Sequence, residues 1–307
     1  MAKGSKEKPI GNQFALRYWP TWIGIGLMAI LGKIPFSYRI SLGKKLGALL
    51  YRVAKSRRHI ADVNLSLCFP EMPIAERNSL LKRIFQENSI GFLETAYSYF
   101  GDEKEVLSRT SYSGIEYLMR AIQQKKGVLL IGAHYSMLDL GAILLKPHCE
   151  LVTMYRANSN PLLNEFIKQK RARFTKANYE RHALRPVLKH LKQGDVVWYA
   201  PDQDYGRKVS VFAPFFGVPA ATITTTSKLA QFVHSSVLIL GYHRNKDDSG
   251  YTVRIQPLEG EFPTGDEIAD ATKINKALEA MIQIDPAQYM WVHRRFKTRP
   301  AGEPRPY

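Results

Sequence analysis

A histidine stands where an apolar segment gives way to a helical one, and an aspartate follows five residues later. In the run VLLIGAHYSMLDLGA, residues 128–142, these are His134 and Asp139. Residues i and i+5 lie about 140° apart on an ideal helix, so the two can meet only if His134 precedes the helix. Ser136 is a good N-cap residue and places the helix start after His134. The arrangement predicts a histidine base oriented by a carboxylate, which can activate a hydroxyl nucleophile.

The H-x4-D spacing alone is weak evidence, because it occurs three times in this chain. One other pair, His190 with Asp195, lies on a polar helix end. The third pair, His243 with Asp248, lies on a strand that runs into a turn. Neither occupies a strand-to-helix junction, where α/β proteins place their ligands. For the first pair, the alternative is that the acid only caps its helix and the histidine is a loop residue.

The segments around this junction alternate between strand-like and helical patterns. Predicted strands are Val128–Ala133, Leu151–Arg156, Asp195–Ala200, Ser236–Arg244 and Tyr251–Leu258. Predicted helices cover 74–100, 136–146, 160–174, 184–193, 221–233 and 265–284. This alternation predicts one α/β domain with a mainly parallel sheet flanked by helices, ending in an antiparallel pair at 236–258.

Missing motifs narrow the chemistry. The chain has no G-x-S-x-G elbow, no P-loop and no G-x-G-x-x-G after a strand, which argues against hydrolases, nucleotidases and dinucleotide enzymes. Its eight histidines and two cysteines show no metal-ligand or redox spacing, so the sequence requires neither metal nor cofactor. The two cysteines, Cys68 and Cys149, form no disulfide-framework pattern and agree with a reducing compartment.

Polar groups at later strand ends are further candidates for substrate binding. Arg156 closes the strand LVTMYR and could bind a phosphate or a developing oxyanion, unless it is a plain surface arginine; Asn160 follows in the same run. Asp202 and Asp204, in VVWYAPDQDYG, could orient a base or hold a sugar hydroxyl, although two acids in a turn are more often turn formers. Phe212, in VFAPFFGV, is typical of a core residue but could line an acyl channel beside a membrane-side site.

Basic charge is concentrated at the amino end. The net charge is +17, and residues 1–58 hold 12 Lys and Arg against one acid. Residues 18–32 form an uncharged apolar island with tryptophans at its edge, but this island is shorter than the ~20 residues that span a bilayer unaided. We expect residues 1–33 to form a basic segment with a single membrane anchor, either spanning or deeply interfacial. A signal peptide is the weaker alternative, because no small-residue cleavage site follows.

The next segment, residues 34–60, is predicted to be a basic amphipathic helix. Its leucines share one helical face, which would lie on anionic lipid or pack on the core of the protein. Residues 61–307 would form the α/β catalytic domain. Because basic residues are denser after the island than before it, the positive-inside rule places this domain in the cytoplasm. Charge gathered around an apolar anchor fits lipid better than nucleic acid as the anionic partner.

Several runs taken together resemble the bacterial lipid A late acyltransferases, in particular the lauroyl-type enzymes. These runs are NLSLCFPEM at 64–72, GAHYSMLD at 132–139, MYRANSNPLL at 154–163, VVWYAPDQDYG at 196–206, SVFAPFFGV at 210–218 and PAQYMWVHRRFKTRP at 286–300. The family's His-x4-acid motif maps onto His134 and Asp139, with Asp where some relatives carry Glu. Its strand-end arginine maps onto Arg156, and the carboxylates of its proline-aspartate block map onto Asp202 and Asp204.

The resemblance implies an O-acyltransferase at the cytoplasmic face of the bacterial inner membrane. It would move an acyl chain, lauroyl in the lauroyl-type enzymes, from acyl carrier protein to a hydroxyacyl 3-hydroxyl of the precursor Kdo-lipid IVA. His134 would be the general base and Asp139 would fix its tautomer, while Arg156, aided by Arg294 and Arg295, would bind lipid phosphates. Two alternatives stay open: a lysophospholipid or glycerol-phosphate acyltransferase with the same His and Asp, and a non-enzymatic basic membrane-binding protein.

Overall fold

The apolar run at 128–132 forms a strand with every residue buried, as expected at the centre of a parallel sheet. The computed structural model describes residues 11–233 and 236–307. Its strands are β1 (Thr110–Ser113), β2 (Val128–Gly132), β3 (Leu151–Tyr155), β4 (Thr175–Glu180), β5 (Val196–Tyr199), β6 (Ser210–Phe215), β7 (Val218–Ile223), β8 (Ser236–Arg244) and β9 (Tyr251–Pro257).

Seven of these strands form one sheet in the order β1-β9-β8-β2-β5-β3-β4. The five strands from β8 to β4 in this order are parallel, whereas β9 is antiparallel to β8 and β1 runs parallel to β9. The carboxyl ends of the five parallel strands therefore lie at one edge. Strands β6 and β7 form a separate antiparallel hairpin. The predicted mainly parallel sheet with an antiparallel pair near its end is confirmed.

Helices flank the sheet and supply the connections between its strands. They are α1 (Trp19–Leu31), α2 (Phe36–Val53), α3 (Lys55–Cys68), α4 (Ile74–Phe100), α5 (Glu103–Leu107), α6 (Ile115–Gln123), α7 (Leu138–Leu145), α8 (Pro161–Arg171), α9 (Leu184–Lys192), α10 (Thr225–Val233) and α11 (Glu267–Ile284). Short 3-10 turns lie at Leu16–Tyr18, Arg207–Val209 and Pro286–Gln288. The core is one continuous apolar cluster that runs from α2 and α4 through the sheet to α11.

Helix α2 packs on α4 through glycines rather than through its leucines. A Cβ at Gly43 would lie 2.5 Å from Cγ1 of Ile90, and one at Gly47 would lie 2.3 Å from Cα of Gln86. The two backbones can approach this closely only because neither position carries a side chain. The predicted helix over 34–60 is divided at Ala54 between α2 and α3.

The leucine-rich face predicted for this segment is turned outward at its far end. Leu49, Leu50 and Val53 are 52%, 44% and 61% exposed. The alternative that this face packs on the core is therefore wrong for these three residues. An apolar face that the described residues leave unpacked is available to a lipid surface.

Helix α1 covers the predicted apolar island but is 13 residues long. Ile25 faces the domain and is buried, while Ile23, Leu27 and Ile30 are exposed. Within residues 11–233 and 236–307, no helix has both the length and the apolar character needed to cross a bilayer. The basic residues predicted to precede the island at 1–10 lie outside the described residues.

The starts of two predicted helices and several strands differ from the prediction. The helix after His134 begins at Leu138 with Met137 as N-cap, two residues beyond the predicted start, and among the described residues the Ser136 hydroxyl has no hydrogen-bond partner. The predicted helix at 221–233 begins at Thr225, because the preceding β-branched residues complete the β6–β7 hairpin. Strands β1, β4, β6 and β7 were not predicted, and of these β1 and β4 are polar edge strands without an apolar alternation.

Candidate active site

His134 and Asp202 meet at the carboxyl edge of the parallel sheet. Strands β2 and β5 pair in parallel, so the loops that follow them leave the sheet side by side. His134 lies two residues beyond β2, and Asp202 lies three residues beyond β5. Nδ1 of His134 is 2.6 Å from Oδ1 of Asp202, and the His134 backbone N–H donates to Oδ2 at 2.9 Å. One carboxylate thus fixes both the ring and the backbone of the histidine.

The charge balance of this pair favours a working base. Burial alone would lower the pKa of His134, but the adjacent Asp202 carboxylate raises it above its ordinary value. Burial would raise the pKa of Asp202, but the charge and hydrogen bonds of His134 hold it well below its usual range. Because the ionised carboxylate accepts from Nδ1–H, Nε2 is the ring nitrogen left to accept a proton.

Asp139 does not orient His134, contrary to the sequence prediction. Its carboxylate instead accepts hydrogen bonds from Arg171 Nε at 2.7 Å and Nη2 at 3.2 Å. The Tyr99 hydroxyl also donates to Asp139, at 2.7 Å. Because α7 begins only at Leu138, Asp139 lies in the first turn of this helix. Its carboxylate bonds Arg171 and Tyr99 there instead of His134. The two residues of the H-x4-D motif therefore do not form a dyad: His134 pairs with Asp202, and Asp139 pairs with Arg171.

His134 and Arg171 line the same cleft, whose volume is about 500 Å³. Its apolar lining includes Leu138, Met154 and Trp198. A smaller apolar cavity of about 40 Å³ lies next to it and shares four of its lining residues, including these three. The site thus combines a base, a guanidinium and apolar walls, a combination suited to a ligand with a polar reacting centre and a hydrocarbon chain.

Two of the predicted substrate-binding residues, Arg156 and Asn160, follow β3 and have different surroundings. Arg156 lines it directly, at the end of β3. Asn160 caps the amino end of α8, where its side chain accepts from the backbone N–H groups of Leu162 and Leu163. Its amide also donates to Thr21 of α1 at 2.7 Å. Asn160 thus has a structural role that ties the amino-terminal helix to the segment following Arg156.

Two predicted residues have partners that define structural roles. Asp204 accepts from the backbone N–H and the hydroxyl of Thr298, at 2.8 and 3.0 Å, and so fastens the carboxyl-terminal segment. Arg295 is 1% exposed and donates to the Ala221 carbonyl and the Thr222 hydroxyl. A phosphate cannot reach a guanidinium that is buried in this way. The prediction that Arg295 binds lipid phosphate is therefore wrong.

Phe212 and Arg294 are not among the described residues that line the cleft. The Phe212 ring lies on β6 beside Arg207, and Arg294 lies over the ring of Tyr307. Phe212 on the β6–β7 hairpin and Arg294 in the carboxyl-terminal segment thus lie outside the lining of the cleft that contains His134. Their predicted contacts with an acyl chain and with phosphate gain no support from this placement.

Sequence reasoning missed three groups that the fold brings to the site, namely Tyr99, Arg171 and Arg181. Arg171 is the last residue of α8 and Tyr99 lies near the end of α4, so neither stood in a recognisable pattern. The signal for Asp202 was present, since an acid after a strand end was a candidate to orient a base. In the part of the chain that the structure describes, no three His, Cys, Asp or Glu side chains are grouped so that they could hold a metal ion.

A carboxylate-paired histidine in a partly apolar cleft, at the carboxyl edge of a mainly parallel sheet, is typical of α/β enzymes that transfer a group. The family model for bacterial lipid A biosynthesis acyltransferases matches residues 12–298. The chain therefore belongs to the bacterial lipid A biosynthesis acyltransferase family.

Similarity to characterised relatives extends over almost the whole chain. It is 39% identical to the lipid A biosynthesis lauroyltransferase of Escherichia coli (strain K12), over 95% of each chain. It is 38% identical to the lipid A biosynthesis palmitoleoyltransferase of the same organism, over 94% of each. Identity to the lipid A biosynthesis myristoyltransferase of that organism is 27%, over 95% of this chain and 91% of the relative.

Proposed function

We propose that this protein transfers an acyl chain from acyl carrier protein to a hydroxyacyl 3-hydroxyl of Kdo-lipid IVA, with His134 as the general base. The single observation that carries this proposal is the His134–Asp202 dyad, whose histidine lines a cleft with apolar walls. Membership of the family supports a lipid A precursor as the acceptor and an acyl donor as the second substrate. It also favours this acceptor over a lysophospholipid and over a binding role without catalysis.

The reaction needs one proton acceptor and one stabilised oxyanion. Nε2 of His134 takes the proton of the acceptor hydroxyl as its oxygen forms a bond to the thioester carbonyl carbon. The tetrahedral intermediate then collapses, the carbon–sulfur bond breaks, and the leaving thiolate takes the proton back from His134. Asp202 stabilises the imidazolium formed between these two steps. The product is a new ester, and no covalent enzyme intermediate is needed.

Arg171 is placed to stabilise the oxyanion of this intermediate. It lines the same cleft as His134 and donates to Asp139, whose carboxylate also accepts from the Tyr99 hydroxyl. A guanidinium fixed before the substrate arrives can stabilise developing negative charge without reorganising. Asp139 acts in this scheme as a positioning residue for Arg171.

The donor proposed is lauroyl-acyl carrier protein. The relative named as a lauroyltransferase supports this choice, but the relative named as a palmitoleoyltransferase is only one percentage point less identical. Since one methylene changes binding discrimination by only ~1 to 3 kcal/mol, chain length has to be measured directly.

The proposed location is the cytoplasmic face of the bacterial inner membrane. Exposed apolar side chains on α1 and at the end of α2 support attachment to lipid, as do the basic residues among them, such as Arg17, Lys33 and Arg52. The Asn160–Thr21 hydrogen bond, which ties α1 to the segment following Arg156, also supports this location, because Arg156 lines the cleft.

An acyltransferase assay with two matched variants tests the proposal. Purified protein in detergent receives Kdo-lipid IVA and acyl carrier protein loaded with C10 to C16 chains, and mass spectrometry detects the new ester. His134→Ala should abolish the product. His190→Ala is the control, because His190 is also half-buried and also lies 2.6 Å from an aspartate, Asp195, but does not line the cleft. A fully active His134→Ala protein would contradict the catalytic assignment.

A further inference from the structure

Positive charge dominates the lining of the cleft. The described residues that form it include three arginines and two histidines, and no aspartate or glutamate. The three arginines are not equivalent. Arg171 is neutralised by Asp139 at 2.7 Å. Across residues 11–233 and 236–307, neither Arg156 nor Arg181 forms an ion pair with a carboxylate.

The sheet fixes Arg156 and Arg181 next to each other. Tyr155 at the end of β3 is in register with Glu180 at the end of β4, so the two arginines are the next residues of paired parallel strands. The backbone N–H of Arg181 donates to the Tyr155 carbonyl at 2.8 Å, which continues the pairing by one step. Neighbouring strands lie about 4.8 Å apart, so the backbones of Arg156 and Arg181 are adjacent, and both side chains line the cleft.

Tyr205 lies beside this pair and contacts Arg181 through its ring. The Arg181 guanidinium is 5.9 Å from the centre of the Tyr205 ring. Burial raises the pKa of the Tyr205 hydroxyl, while the charges of Arg181 and Arg156 both oppose that rise, so both guanidiniums act on this one side chain. Tyr205 also lines the cleft, together with the exposed side chain of His182.

Two adjacent guanidiniums without carboxylate partners favour an anion with several oxygens. A carboxylate has two oxygens, and a single arginine can bond both of them. A phosphate has more oxygens and can accept hydrogen bonds from two arginines. An anion bound between the arginines would also relieve their mutual repulsion.

We propose that Arg156 and Arg181 form a two-arginine clamp for a phosphate group of a substrate, with Arg181 taking the place that the sequence assigned to Arg294 and Arg295. This inference rests on the proposed function, because both proposed substrates carry phosphate. The acceptor carries it on its sugars, and the donor carries it in the phosphopantetheine arm of the carrier protein. The clamp itself requires only the phosphate chemistry, and the experiment separates the two sources.

The variants are Arg156→Gln, Arg181→Gln and Arg181→Lys, with Arg185→Gln as the matched control. Arg185 is an exposed arginine on α9, four residues from Arg181, that does not line the cleft. The first measurement needs no turnover and records the thermal unfolding midpoint with and without inorganic pyrophosphate. Wild type and Arg185→Gln should be stabilised equally, and both glutamine variants at the clamp should lose this response. Equal stabilisation of all variants would overturn the clamp.

The second measurement is steady-state kinetics with intact acceptor and with acceptor stripped of its phosphates. If the clamp holds the acceptor, Arg181→Gln raises its KM roughly 10- to 100-fold, Arg181→Lys restores part of the loss, and stripped acceptor shows no difference between variants. If the clamp holds the donor, the donor KM rises instead. A loss that is independent of phosphate on either substrate would mean that Arg181 is merely structural.

The two proposals can fail separately. Pyrophosphate stabilisation that depends on Arg181, in a wild-type protein that makes no ester, would retain the clamp and remove the proposed reaction. If wild type forms the ester and Arg181→Gln does not affect this activity, the proposed reaction is retained and the clamp is overturned.

Discussion

The ring of His134 and the carboxylate of Asp202 are joined at 2.6 Å although 68 residues separate them in the chain. The contact exists because β2 and β5 are neighbours in the sheet, which brings their carboxyl ends together. Asp202 is fully buried, so its charge is poorly screened, and the His134 ring lies within hydrogen-bond distance of it. The carboxylate that orients the proposed base thus comes from another strand end and not from the H-x4-D motif.

Replacing Asp202 by Asn should reduce kcat by roughly 10²- to 10⁴-fold, because the amide no longer fixes the tautomer or stabilises the imidazolium. Asp204→Asn is the control, since this acid lies in the same segment but bonds Thr298. It should lower thermal stability while leaving kcat per folded molecule nearly unchanged. Equal losses of kcat in the two variants would contradict a specific role for Asp202.

The pH dependence of kcat/KM should rise along a limb whose midpoint lies above the ~6.5 of an unperturbed imidazole. The sign follows from the structure: Asp202 raises the pKa of His134, and the base works only when it is neutral, so activity is lost as the pH falls through this raised value. In Asp202→Asn the limb should move to lower pH, because burial then acts alone. A limb that stays in place would show that another group titrates.

Asp139→Asn and Arg171→Gln should each lower kcat by roughly 10²- to 10³-fold, as expected when one oxyanion donor is misplaced or removed. The double variant should be no slower than the slower single variant, because both changes affect one guanidinium. The midpoint of the pH limb should not move in either variant. Additive losses, or a limb shifted by Asp139→Asn, would return Asp139 to the role of orienting His134.

The sequence was sufficient for the elements with strong patterns and insufficient for pairings across the fold. The buried run of β2 and the long periodic helix α4 were predicted almost to the residue. The position of His134 followed from the junction itself. Its partner did not, because nothing in a single sequence states that β5 rather than β3 lies beside β2. The positions of Arg171 and Arg181 depend on the same strand order, so their role could be found only in the folded chain.

Helix α1 should carry a large share of the affinity for lipid. Ile23→Ser with Ile30→Ser removes two side chains that are 71% and 69% exposed and should weaken binding to phosphatidylglycerol vesicles roughly 10²-fold or more. Ile268→Ser with Ile284→Ser makes the same two changes on α11 and is the matched control. Vesicle co-sedimentation measures both. Unchanged binding of the first variant, or equal weakening of both, would contradict a lipid-facing role for α1.

Gly91 is the point where α4 meets the loop that carries His134. A Cβ at this position would lie 2.2 Å from the carbonyl oxygen of Ser136, a backbone atom that cannot move without displacing the loop. Gly91→Ala should therefore lower the free energy of unfolding by about 1–3 kcal/mol, as overpacking does, and should also lower kcat. Gly24→Ala is the control, because a Cβ there meets nothing within 4 Å, and alanine should stabilise the helix by up to about 1 kcal/mol. Urea denaturation measures the free energy of unfolding, and kcat is measured on the same preparations. If Gly91→Ala kept wild-type stability and activity, the close packing of α4 on this loop would not position the base.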